Sequence, residues 1–137
     1  MKAFVDTDVI LDVLLERKHF VYSAKVIEHI EKKDIEGFTS PIIFTNTFYL
    51  IAKEKNSNLA WNVLNRLRSL FKITKVNEKI VDLALTSGFK DFEDAMQYYS
   101  AIDAKVKYLI TRNKSDYKGE DVIIVSPQEF LALIEKN

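Results

Sequence analysis

Three short segments of this 137-residue chain concentrate oxygen-bearing side chains. They are Asp6 with Asp8, then Asp91, Glu93 and Asp94, and then the run Thr111-Arg112-Asn113-Lys114-Ser115-Asp116. Carboxylates brought to one place suit a hard divalent cation such as Mg²⁺, which takes oxygen ligands in near-octahedral array and keeps several waters. Other chemistries find less support. The chain has no cysteine, and its two histidines, His19 and His29, stand alone, so no zinc-ligand spacing exists. No motif sets a serine or threonine beside either histidine as an activated nucleophile.

The elements that must position these acids alternate between short β-like runs and longer helical ones. The apolar run 2–5 ends at Asp6, and Val9, Ile10, Val13 and Leu14 then share a helical face. Helical spacing predicts a second helix over 21–32, with Tyr22, Val26, Ile27 and Ile30 inward. A strand over 37–40 leads to a helix over 41–53, capped by Ser40 with Pro41 at its first position. Residues 58–71 form a further amphipathic helix, with Leu59, Val63, Leu67 and Leu70 on its spacing. A strand over 72–76 follows, then a helix capped by Asn77 that runs through Ser87 to Gly88. Residues 91–105 are helical, 106–111 and 121–125 are strands, and Ser126-Pro127-Gln128-Glu129 is a capping-box start for a last helix to 136. This alternation implies an α/β domain with a central parallel sheet of about five short strands and helices on both faces. In such sheets ligands bind beyond the carboxyl ends of the strands, where two of the three acidic segments fall.

Composition sets further bounds. The length allows one domain with one core, 1–137. No run approaches a membrane span, and the opening MKAFVDTDVILDVLL is too acidic for a signal peptide. With no cysteine, the expected compartment is the cytoplasm. Twenty basic residues balance twenty acidic ones, which argues against broad polyanion binding. A local basic rim of Arg17, Lys18, Arg112, Lys114 and Lys118 remains available for phosphates. The 41–53 helix, with Ile42, Phe44, Phe48, Tyr49 and Ile51, is apolar nearly all round. We therefore expect part of it to be buried in a homodimer.

The blocks VDTDVILDVL, DFEDAMQYYSA and LITRNKSDY, followed by VIIVSPQEFL, resemble in order and spacing those of PIN domains, and most of all bacterial toxin-type members. The resemblance runs from Lys2 to about Leu133. It implies a three-layer α/β/α fold, a Mg²⁺- or Mn²⁺-dependent ribonuclease, RNA as substrate and an antitoxin protein as possible partner. It places the catalytic acids at Asp6, Asp94 and Asp116. Asn113 falls at one acidic position of the family and Asn46 at another, so both become metal-site candidates of lower charge. In this reading Asp6 and Asp94 hold one cation, and Asp116 with Asn113 completes or bridges a second position. Thr7, Thr111, Arg112 and Lys114 are the expected substrate contacts.

Each acid also has an ordinary structural role. Asp6 could simply end a strand, and Asp8 is expected as the N-cap of the first helix. Asp91 caps its helix while Asp94 sits in the first turn, where negative charge is worth about 0.3–1 kcal/mol without any catalysis. Asp116 could cap a turn, Asn113 could hydrogen-bond its own loop, and Asp12 and Asp103 are expected to be solvated or paired. The two asparagines support a rival reading, a non-catalytic module that binds RNA or an antitoxin. A phospho-acceptor domain of similar layout would need a middle-strand aspartate, and none is evident.

Overall fold

The computed structural model describes residues 1–18 and 20–135. His19 and the end of the expected last helix, Lys136, lie outside the described residues. Five strands form one parallel sheet: β1 (Lys2–Val5), β2 (Glu36–Thr39), β3 (Lys72–Ile73), β4 (Tyr108–Ile110) and β5 (Ile123–Val125). Their order across the sheet is β3-β2-β1-β4-β5. Ala3, Phe4 and Val5 of β1 and Leu109 and Ile110 of β4 are fully buried, as strands covered on both faces must be. Gly37 in β2 leaves no room for a side chain, because a Cβ there would stand 2.9 Å from Ile30 and 3.0 Å from Phe71.

Among the described residues, seven helices surround the sheet. They are α1 (Thr7–Leu14), α2 (Phe20–Glu31), α3 (Pro41–Glu54), α4 (Ser57–Leu70), α5 (Glu78–Leu85), α6 (Phe92–Asp103) and α7 (Pro127–Ile134). With the right-handedness usual for parallel crossovers, this strand order sets the helices between β1 and β3 on one face and the α5–α6 pair on the other, giving three layers. Local signals start most helices. Ser40, Asn56, Asn77, Asp91 and Ser126 each accept from a backbone N–H in the following turn, and Ser126 with Glu129 completes the capping box.

Several expectations need correction. The N-cap of α1 is Asp6, and Asp8 lies inside its first turn. Tyr22, expected inward, is 41% exposed. The strand expected over 72–76 pairs only at Lys72–Ile73, and Thr74 donates its N–H to the Thr39 carbonyl just past the ladder. The helix expected to reach Ser87 ends at Leu85, two residues earlier, with Gly88 (φ 75°) in the following turn. The strand over 106–111 is shorter at both ends, and so is that over 121–125 at its start.

The sheet order has its switch point between β1 and β4. The chain leaves β1 toward β2 and β3, then returns to build β4 on β1's other edge. The register Val5↔Ile110 puts Asp6 and Thr111 side by side beyond the strand ends, and Asp6 donates its N–H to Ile110.

Candidate metal centre

At this switch point a cleft of about 500 Å³ opens. It is lined by the carboxylates of Asp6, Asp8, Glu93, Asp94 and Asp116, by Asn46, Asn113, Gln97 and Thr7, and by Arg17. Each acid is brought there by a different device. Asp6 follows β1 and caps α1, Asp8 lies in the first turn of α1, Glu93 and Asp94 open α6, and Asp116 closes a short 3-10 turn, Lys114–Asp116, after β4.

Asp6 is buried and its carboxylate is held from three sides. Oδ1 accepts the Thr7 N–H at 2.7 Å, while Oδ2 accepts the Thr111 and Tyr117 hydroxyls, each at 2.9 Å. Burial raises its pKa, and these three donors pull against that rise. Asp8 accepts the Arg112 N–H at 3.1 Å and the Asn113 amide at 2.9 Å. Burial and the neighbouring Asp6 charge push it up to about 6. Asp94 is pushed up to about 7, first by burial and then by the charges of Asp91, Asp6, Asp116 and Glu93. Burial, and then the charges of Asp6, Asp94 and Asp8, push the Tyr117 phenol up, so it remains a hydrogen-bond donor to Asp6. Glu93 is raised by burial and moderated by Asn46, whose amide donates to its Oε1 at 2.7 Å.

Against this excess of negative charge stand Arg17 at the cleft wall and Arg112, which is off the cleft lining but whose charge lowers the Asp8 pKa. Among the described residues no three Asp, Glu or His side chains are gathered tightly enough to enclose an ion by themselves. The donor set nevertheless suits a hydrated divalent cation, which takes one or two carboxylates and keeps waters for the rest. The donors are all oxygen, they repel one another, and the buried oxygens Asp8 Oδ1, Thr7 Oγ1 and Gln97 Oε1 have no partner. A buried polar atom without a partner is costly, and a hydrated ion or its waters would satisfy it.

The residues expected at the site from sequence divide into two groups. Asp6, Asp94, Asp116, Asn113, Asn46 and Thr7 all reach the cleft. Thr111, Arg112 and Lys114 are not on its lining. Thr111 is fully buried and orients Asp6. Arg112 turns its Nε to Asp12 at 2.7 Å, where Asp12 is fully buried and also accepts the Ser23 hydroxyl. Lys114 reaches Glu129 at 2.9 Å. Lys118 donates to the Gly88 carbonyl at 2.5 Å. Of the expected basic rim, Arg17 is the member on the cleft lining among the described residues, and Arg112 acts on Asp8 from behind it.

Gln97 and Tyr117 carry no site signal in the sequence, while Asp8 and Glu93 belong to the acidic segments but are not among the acids that the family resemblance picks out. Glu93 looks locally like one more first-turn acid, and Tyr117 like an ordinary core aromatic. The one usable signal was the pairing of Glu93 with Asp94 at the start of the same helix.

A five-stranded parallel sheet with acids converging at its switch point is the arrangement of PIN domains, and the pattern that defines PIN domains matches residues 2–115. The chain belongs to the PIN-domain family. It is 30% identical over 134 residues to Ribonuclease VapC1 of Aquifex aeolicus, covering 94% of this chain and 92% of that protein. Among solved structures it is similar to VapBC-1 from nontypeable Haemophilus influenzae (TM-score 0.71, 16% identity, covering 93% of this chain and 99% of that one). It is also similar to VapBC2 from Rickettsia felis, solved bound to a DNA fragment from its promoter (TM-score 0.68, 17% identity, covering 90% of this chain and 97% of that one). A third is Mycobacterium tuberculosis VapC20, a Sarcin-Ricin loop cleaving toxin (TM-score 0.62, 14% identity, covering 87% of this chain and 92% of that one).

Proposed function

We propose that this chain is a Mg²⁺- or Mn²⁺-dependent endoribonuclease that hydrolyses RNA phosphodiester bonds in the cytoplasm, as the toxin half of a toxin–antitoxin pair. The observation that carries the reading is the meeting of Asp6, Asp94 and Asp116 in one cleft at the β1/β4 switch point. The 30% identity to a ribonuclease over nearly the whole chain supports the activity. Likeness to chains solved as VapBC assemblies supports an antitoxin partner. Among the described residues no helix is long and apolar enough to cross a membrane, which accords with the proposed compartment.

Asp6 and Asp94 would hold the cation, with Asp116 and the neutral oxygens of Asn46 and Asn113 around it. When bound, the ion would lower the pKa of a coordinated water and neutralise charge growing on the phosphoryl oxygens. The chain's own contribution is positional. Thr111, Tyr117 and the Thr7 N–H fix Asp6, so its orientation is set before any ligand arrives. Arg17 supplies a positive group at the cleft wall for a substrate phosphate. Asp94, with a pKa of about 7 in the metal-free fold, would release its proton as the cation binds, so metal binding should strengthen with rising pH.

A second reading, a PIN domain that binds RNA or an antitoxin without cutting, is favoured by the two asparagines at expected acidic positions. One experiment separates the two. Purified protein is incubated with mixed RNA and Mn²⁺ or Mg²⁺, with and without EDTA, beside Asp94→Asn. Cleavage that EDTA and the variant both abolish supports the nuclease. RNA retention without cleavage supports the binding module.

A further inference from the structure

We infer that Glu93 is one of the cation-holding carboxylates of this cleft, and that Asn46 and Gln97 are its positioning residues. The inference rests on the metal-site reading above and adds a residue to it. Three observations carry it.

The first is the way Glu93 is held. Its Oε1 accepts the Asn46 amide at 2.7 Å, from α3, and the Gln97 amide approaches the same oxygen at 3.5 Å from one turn along α6. Both amides go to Oε1, and among the described residues Oε2 accepts nothing. Tethering one oxygen by neutral donors while the other stays available is how carboxylate ligands are oriented by surrounding groups. A first-turn acid that served only the helix dipole would gain by extending into water. Glu93 instead lies half-buried against another helix, on the cleft wall.

The second observation is Gln97. It is 1% exposed, lines the cleft, and its Oε1 has no partner. Its Nε2 faces the Glu93 carboxylate, which can only accept, so its carbonyl oxygen must point elsewhere and stay unsatisfied. A buried amide oxygen left open on an acidic cleft is a place for an ion's water.

The third is charge placement. Asn46 cannot contribute charge, yet it sits where α3 faces α6 across the cleft. The carboxylate on this side of the site is therefore carried by α6, and Asn46 serves as its donor. A carboxylate at both positions would repel at hydrogen-bond distance, whereas the amide–carboxylate pair is complementary.

The test is Mn²⁺ binding to the intact protein, read by titration calorimetry and by the Mn²⁺-induced rise in melting temperature, with no RNA present. Glu93→Gln should weaken Mn²⁺ binding at least about tenfold, and Asn46→Ala should weaken it by about tenfold. Glu93→Asp keeps the helix-start charge but retracts the carboxylate, and should weaken binding as Glu93→Gln does. It also keeps the test available if Glu93→Gln folds poorly. Moving the acid across, in Asn46→Glu with Glu93→Gln, should restore part of the lost affinity, whereas Asn46→Glu alone should not tighten binding. If Glu93→Gln and Glu93→Asp both bind Mn²⁺ like the wild type while Asp94→Asn does not, Glu93 is structural and the inference is overturned. If the wild type itself binds no Mn²⁺, or Asp94→Asn binds equally well, the metal-site reading fails and this inference with it.

Discussion

Asp94→Asn should make the metal-free protein more stable at alkaline pH. Its side chain accepts no hydrogen bond from a described residue, because the one bond at this position is its own N–H donated to Asp91. Its charge is opposed by burial and by four neighbouring acids, which raise its pKa from the usual 3.8 to about 7. Between those two values the folded chain keeps a proton that the unfolded chain has released. Stability therefore falls as pH rises from about 4 to 7, then levels off. A rise of this size in a fully buried group corresponds to roughly 4 kcal/mol. Asp94 is only half-buried, and solvent screening reduces the expected penalty at pH 8 to about 1–2 kcal/mol. Losing a first-turn charge gives back about 0.3–1 kcal/mol. The net expectation is a variant about 1 kcal/mol more stable at pH 8, near 3–5 °C in melting temperature for a domain of this size, and no more stable than wild type at pH 4. Thermal melts in EDTA at pH 4, 6 and 8 measure this directly. A variant less stable than wild type at pH 8, or one with the same pH profile, would refute the view that these acids are held together against their repulsion.

Asp6→Asn should act in the opposite direction, because Asp6 accepts three hydrogen bonds and its replacement sets an amide against the Thr111 and Tyr117 hydroxyls; urea denaturation should show a loss of about 1–3 kcal/mol, and an unchanged midpoint would contradict the assigned network. Arg112→Ala removes the ion-pair partner of fully buried Asp12, leaving it the Ser23 hydroxyl, and should cost about 3–5 kcal/mol in the same assay; a loss below about 1 kcal/mol would mean the pair is incidental. Tyr49 and Trp61 are 67% and 62% exposed around Phe48, which meets the Trp61 ring edge-on at 5.2 Å. We expect this patch to be covered in a homodimer, so Trp61→Glu should lower the mass seen by light scattering at tens of micromolar. A wild type that is already monomeric there would remove the dimer from the account.

What the sequence determined by itself is whatever depends on neighbours a few residues apart. Ser40, Asn77, Asp91 and Ser126 cap their helices through backbone N–H groups three residues on, and such bonds are written into short motifs. The apolar runs at β1 and β4 and the helical spacing of Val9 and Ile10 are equally local, and together they imply the layered α/β fold and put Asp6 and Asp116 after strands. The structure decided what depends on partners far away in the chain. Asp6 and Asp8 are equally good caps by type. Pairing of β1 with β4 hands the cap to Asp6 and leaves Asp8 for the Arg112 N–H, 104 residues away. Arg112 could have served a phosphate, but packing of α1 on α2 buries Asp12, and the cost of an unpaired buried charge draws the guanidinium 100 residues along the chain to it. Glu93 and Asn46 are 47 positions apart, and only the approach of α3 to α6 makes them a pair. Residue type sets what a side chain can do. Where it points is settled by desolvation and by the few donors that the completed fold leaves within reach, and no local pattern encodes that.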